Sequence, residues 1–283
     1  MKKTMFFVVV AVVGSVCLVT TNGCTDKKPS GSDSVSWQDS VADSIPQNLT
    51  VEAENAPMPK GADELFDDFI FNFASNGRLQ RERIMFPLPM KAGATVTRIT
   101  KDKWKTENFF MRQGYYTLIF DNEKQFEIVN DTSIDHVIVE KVYLNKKSVQ
   151  QFDFHRINGR WMLTEIINGA MYQNHNASFL SFYEQFARDR KFQVSSLNVP
   201  VSMVLPDPDD DFKMMNADLY PEQWEDFKPQ ILPKDFIYNI IYGQKYTNSS
   251  QKVFVIRGIA NGYETQMTFR KMKNGWKLVK MIA

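Results

Sequence analysis

Residues 66–88 and 179–201 carry one pattern twice, and this internal repeat constrains the fold more than any other feature of the chain. The first copy reads FDDFIFNFASNGRLQRERIMFPL and the second FLSFYEQFARDRKFQVSSLNVPV. At an offset of 113, Phe66, Phe69, Phe73, Ala74, Gln80 and Pro87 meet Phe179, Phe182, Phe186, Ala187, Gln193 and Pro200, six identities in 23 positions. Average residue usage would supply roughly one or two. The ends of the halves repeat as well. QFDFHRINGRWMLTEII (151–167) meets QMTFRKMKNGWKLVKMI (266–282) at an offset of 115, pairing Gln151, Phe154, Trp161, Leu163 and Ile167 with Gln266, Phe269, Trp276, Leu278 and Ile282. Trp104 and Trp224 correspond at a looser offset of 120. The body is therefore expected to be one unit written twice, 62–170 and 175–283, each of ordinary domain size. The link across 169–177 is short enough to keep the two adjacent, and their sheet faces are expected to pack together.

The spacing of Phe66, Phe69 and Phe73 puts all three on one face of a helix. Asp63 and Glu64 fall in its first turn, where the helix dipole favours acids, and Asn76-Gly77 fits a stop. Phe179, Phe182 and Phe186 repeat the stripe, which is read as core. Val137–Leu144 is rich in β-branched residues. Residues 149–157 and 161–167 alternate across an Asn-Gly turn, a hairpin signal, and 252–259, 265–272 and 276–282 repeat that pattern. Each half thus reads as a helix, a short second helix near Trp104 or Trp224, then an antiparallel meander closing on a Trp hairpin. The expected class is α+β, with helices on one face of a curved sheet. The opening aromatic helix and the closing Asn-Gly-(x)-Trp-x-Leu hairpin resemble the nuclear transport factor 2-like (cystatin-like) cone fold. The whole chain resembles an uncharacterised Bacteroidetes lipoprotein family, a domain of unknown function, with tandem cone domains. That resemblance implies no activity, catalytic residue or cofactor.

Ahead of the repeat, Lys2 and Lys3 precede a charge-free apolar run from Met5 to Val19, and small and polar residues lead to Gly23-Cys24. This is the layout of a secretory signal over 1–23, with an apolar run too short to span a bilayer. Thr21-Asn22-Gly23-Cys24 resembles a bacterial lipobox, with Thr21 where the pattern prefers Leu. The resemblance implies lipidation (palmitate) of Cys24 as the first mature residue and attachment to the cell envelope, the outer membrane being favoured. Residues 24–61 are rich in Ser, Asp, Pro and Asn and read as a disordered tether. Asp33-Ser34-Val35, Asp39-Ser40-Val41 and Asp43-Ser44-Ile45 resemble the O-glycosylation motif of Bacteroidetes envelope proteins, which would modify Ser34, Ser40 and Ser44.

Composition excludes several functions. Cys17 and Cys24 are the only cysteines, so the mature chain can form no internal disulfide and has no thiol nucleophile. Residues 1–23 contain two Lys and no acid, and their removal leaves 32 basic against 33 acidic side chains. A balance so near neutral argues against nucleic acid as a partner. There is no phosphate-cradling Gly loop, no Gly-x-Ser-x-Gly elbow and no His-Glu-x-x-His. Asp207-Pro208-Asp209-Asp210-Asp211 lacks the spacing of a calcium loop and reads as a solvated turn. The three histidines, His136, His155 and His175, all fall in the first half or at the junction. Asp153 and His155 lie two apart on a strand and share a face opposite Phe152 and Phe154. They are the candidate acid–base or metal pair, set against a plain solvated strand face. Thr268 and Arg270 stand at their positions in the second copy, so any such chemistry belongs to one half. The expectation is a non-catalytic envelope protein that binds a ligand or a protein, with no cofactor and no metal. The alternatives are a hydrolase or isomerase with a pocket in the first half, or a structural part of an envelope complex.

Overall fold

The computed structural model describes residues 63–283. The expected signal peptide (1–23), Cys24 and the tether (24–61) with Ser34, Ser40 and Ser44 lie outside the described residues. In the first half come α1 (Phe66–Ser75), α2 (Gly77–Glu82), β1 (Leu88–Ala92), β2 (Thr95–Ile99), β3 (Tyr115–Phe120), β4 (His136–Tyr143), β5 (Ser148–Ile157) and β6 (Arg160–Ala170). The second half holds α3 (Ala177–Arg188), α4 (Arg190–Ser195), β7 (Leu197–Asp207), β8 (Asp210–Leu219), α5 (Trp224–Phe227), β9 (Phe236–Ile241), β10 (Gln251–Gly258), β11 (Glu264–Met272) and β12 (Gly275–Ile282). Among the described residues no helix is long and apolar enough to cross a membrane.

The repeat is one of interactions as well as residues. In α1, Phe66, Phe69 and Phe73 meet Phe154 at centroid distances of 5.3, 5.9 and 5.4 Å. In α3, Phe179, Phe182 and Phe186 meet Phe269 at 5.4, 5.5 and 5.2 Å. Burying each such ring contributes about 1.5–3 kcal/mol. Asn76 does not simply end α1. Its carboxamide oxygen accepts from the backbone N–H of Arg78 and Leu79, making it the N-cap of α2, and Asp189 does the same for Lys191 and Phe192 ahead of α4. These short helices replace the second helix expected near Trp104, which lies in irregular chain; Trp224 opens the single turn of α5. Both tryptophans are nonetheless equivalent. The Trp104 indole N–H donates to Gln80 Oε1 at 3.0 Å and that of Trp224 to Gln193 Oε1 at 2.9 Å, all four residues being buried. The bonds before Pro87 and Pro200 are both cis.

The sheets depart from the expected pair of separate cones. The described residues form one compact unit, and all their strands join one 12-stranded sheet in the order β2-β1-β6-β5-β4-β9-β3-β10-β11-β12-β7-β8. By position in the repeat, β3 is the counterpart of β9. Yet β3 pairs antiparallel with β10 of the second half, and β9 with β4 of the first. The two meet side by side and parallel at Thr117 and Asn239. Each half has therefore given its third strand to the other.

Residue alternation then assigns the cores to opposite faces of this shared sheet. Tyr116, Leu118 and Phe120 of β3, and Tyr238 and Ile240 of β9, belong to the core under α1. Ile119 of β3 and Ile237 of β9 belong to the core under α3. Likewise Phe152 and Phe154 face the first core, and Val149, on the other parity, the second. Neither helix layer covers the whole sheet, so the far side of β4–β5 beyond the second core is left to solvent.

Candidate functional site

Phe152 and Phe154 turn into the first core, which forces Asp153 and His155 onto the opposite side of β5. The structure keeps that sequence-derived pair together and adds a third member. In the β4–β5 ladder His136 stands directly opposite His155. His136 Nε2 lies 2.7 Å and His155 Nε2 3.2 Å from the same oxygen, Asp153 Oδ1. The two imidazoles stack with centroids 4.4 Å apart and planes 9° from parallel. The histidine side chains are 40% and 46% exposed and that of Asp153 16%, so the cluster is open to solvent on the sheet face and does not line the interior of a cone. His136 was missed because the third residue comes from the neighbouring strand. Equal steps counted back from the 144–147 turn would have paired it with His155.

The second half supplies an internal control. Gln251, Thr268 and Arg270 occupy the matching positions, with Arg270 Nη2 donating to Gln251 Oε1 at 3.3 Å. Both halves also carry a bulge at this point, after Asp153 in the first and after Thr268 in the second. The bulge therefore belongs to the scaffold, whereas the two histidines and the aspartate are peculiar to the first half. His175 lies elsewhere, its ring 6.0 Å from that of Tyr246. The acidic run at 207–211 forms the β7–β8 hairpin, where Asp207 and Asp210 accept from the backbone N–H of Asp209 and Phe212.

Other buried ionisable groups sit where the halves interlock. Burial pushes the Glu140 carboxyl up, against the pull of Gln151, Asn239 and Asn174, whose side-chain amides donate to it at 2.8, 3.1 and 2.7 Å. Asp121, after β3, meets Lys252 Nζ of β10 at 2.5 Å, both side chains 4% exposed. Burial would raise the Asp121 carboxyl, but Lys252 and the Thr247 N–H and hydroxyl outweigh it and hold the group below its ordinary value. Asp67 of α1 accepts from the Tyr242 hydroxyl beyond β9. Burial raises Asp67, and burial with the nearby Asp67 charge pushes Tyr116 up to about 12. All three sets tie one half to the other. A surface groove of about 440 Å³ is lined in part by Glu107, Phe109, Lys141, Phe236 and Tyr238. There the Lys141 ammonium lies 5.1–5.5 Å from the Tyr143, Phe236 and Tyr238 rings and 3.6 Å from Glu107, so the groove's cation is already held by the chain itself.

Residues 45–283 match the family described as Domain of unknown function (DUF4348). The chain belongs to this family. A search of curated proteins finds no match for this DUF4348 protein. Among solved structures, it is similar to a crystal structure of an NTF2-like protein from Bacteroides fragilis, with 42% sequence identity and a TM-score of 0.75 over 80% of this chain and 98% of that one. The DUF4348 body is thus an α+β structure of NTF2-like fold.

Proposed function

We propose that this DUF4348 protein is a cell-envelope lipoprotein, anchored through Cys24, whose body of two tandem NTF2-like copies binds a ligand or partner protein without catalysing a reaction. The observation that carries the second part is the filling of both cone interiors. Where a cone enzyme keeps a cavity lined by acid and base groups, Phe66, Phe69, Phe154 and Trp161 fill the first, and Phe179, Phe186, Phe269 and Trp276 the second. These buried rings occupy the space in which such an enzyme would hold its substrate. The anchor rests on the Gly23-Cys24 signal, and several acyl chains would make attachment stable where one is marginal. Ser34, Ser40 and Ser44 are the proposed glycan acceptors of the tether.

Growth with an alkyne fatty acid tests the anchor. Wild-type protein is expected to take the label and fractionate with the outer membrane, and Cys24→Ala to do neither. An unlabelled wild-type protein would remove the lipoprotein reading. For the body, photocrosslinkers placed on the exposed sheet face in living cells are expected to trap one recurrent envelope component. Trapping of none, together with turnover of a small substrate by the purified protein, would overturn the binding reading. The intact mass checks the glycans: polypeptide plus lipid alone would exclude them.

A further inference from the structure

We propose that His136, Asp153 and His155 form a binding site for one divalent transition-metal ion of the zinc type. Two imidazole nitrogens and one carboxylate oxygen are a donor set suited to such ions. All three ligand atoms lie within 4.8 Å of one another. A tetrahedral ion with bonds of about 2.0–2.1 Å needs its ligands roughly 3.3–3.4 Å apart. The 3.2 Å edge from His155 Nε2 to Asp153 Oδ1 meets this, and the 2.7 Å edge from His136 Nε2 has to open by a few tenths of an ångström. Both histidines are half exposed, so a small turn about their side-chain bonds supplies that adjustment with no movement of β4 or β5.

Three further observations favour an ion over a decorated strand face. First, both Nε2 atoms turn toward the same carboxylate oxygen, so the three donor atoms are already gathered at one place on the sheet face. Second, Asp153 stands directly opposite Glu165 in the β5–β6 ladder, and like charges placed so oppose sheet formation. Lys91 answers Glu165 at 2.5 Å; a cation between the imidazoles answers Asp153. Third, the second half builds the same bulged ladder with Gln251, Thr268 and Arg270, so the scaffold has no need of this trio. With three protein ligands and an open solvent side, the ion keeps at least one coordination position for water, the arrangement of an open zinc site.

The test is calorimetric titration of the full-length chain, purified without a polyhistidine tag, with Zn²⁺ alone. One ion per chain is expected, with a rise in thermal midpoint as zinc is added. Loss of even an outer-sphere partner costs about 10–100-fold in affinity, so His136→Gln, Asp153→Asn and His155→Gln should each weaken binding by about 100-fold or more. The double variant His136→Gln/His155→Gln keeps His175 as its last histidine and should bind no ion at this site, while its circular dichroism spectrum in metal-free buffer matches the wild type. Absence of binding by the wild type, or equal stoichiometry and affinity in the double variant, would overturn the proposal. Either result leaves the envelope-lipoprotein reading standing, since that rests on Cys24.

Discussion

Gln80 and Gln193 make, in each half, bonds that an apolar side chain cannot. Gln80 accepts from the Trp104 indole and the Glu107 N–H and donates to the carbonyls of Phe73 and Glu107. Gln193 accepts from Trp224 and donates to Phe186. Each buried group left unpaired costs about 1–3 kcal/mol. Gln80→Leu and Gln193→Leu should both lower the urea midpoint, Gln80→Leu by more, and equal shifts would count against this assignment. The Asp121–Lys252 pair responds to acid. Its carboxyl is held below the ordinary value, so its stabilisation is complete above that value and disappears as pH falls through the lowered one. Lys252→Met leaves a buried charge unpaired, which costs about 3–5 kcal/mol at neutral pH. Asp121→Asn/Lys252→Met should regain much of that loss and show a shallower fall in urea midpoint below about pH 4.

At the scale of elements, the joint between the first two helices of each half turns on one capping side chain. Asn76→Ala and Asp189→Ala should each cost about 1 kcal/mol, and the two should add, being far apart in separate cores. Chemical denaturation of the single and double variants checks both statements. These joints also show what periodicity can and cannot reveal. The aromatic stripes of α1 and α3 and the Trp hairpins were legible, since buried faces stamp a period of 3.6 or 2 on the residues and Asn158-Gly159 supplies the positive φ a tight turn needs. The β1–β2 hairpin was not. It is an edge pair with β2 almost wholly exposed, so no apolar alternation marks it. The β7–β8 hairpin was hidden for a related reason, with Phe212, Met214 and Met215 all exposed on β8. The metal site was half legible. Asp153 and His155 share a strand, whereas His136 joins them only through register.

For the whole molecule, the exchange of β3 and β9 decides what can fold alone. Residues 62–170 by themselves lack β9 as a neighbour for β4, and residues 175–283 lack β3 as a neighbour for β10. Either fragment would expose long strand edges and part of an apolar core, a recipe for aggregation. Produced separately, each should fail to give dispersed amide NMR signals, and mixing the two during refolding should restore them. A fragment that folds alone with native dispersion would show that the exchange is dispensable. The repeat pointed to two similar bodies but could not show that they trade strands. Identical patterns specify which strand pairs with which type of partner, and β4 and β10 present the same type.

That trade ties the two copies together in descent. An insertion or deletion in one third strand damages the sheet of the other copy, so neither can drift alone. A descendant reduced to a single copy would have to find its missing strand in a second molecule, and would persist only as a twofold dimer.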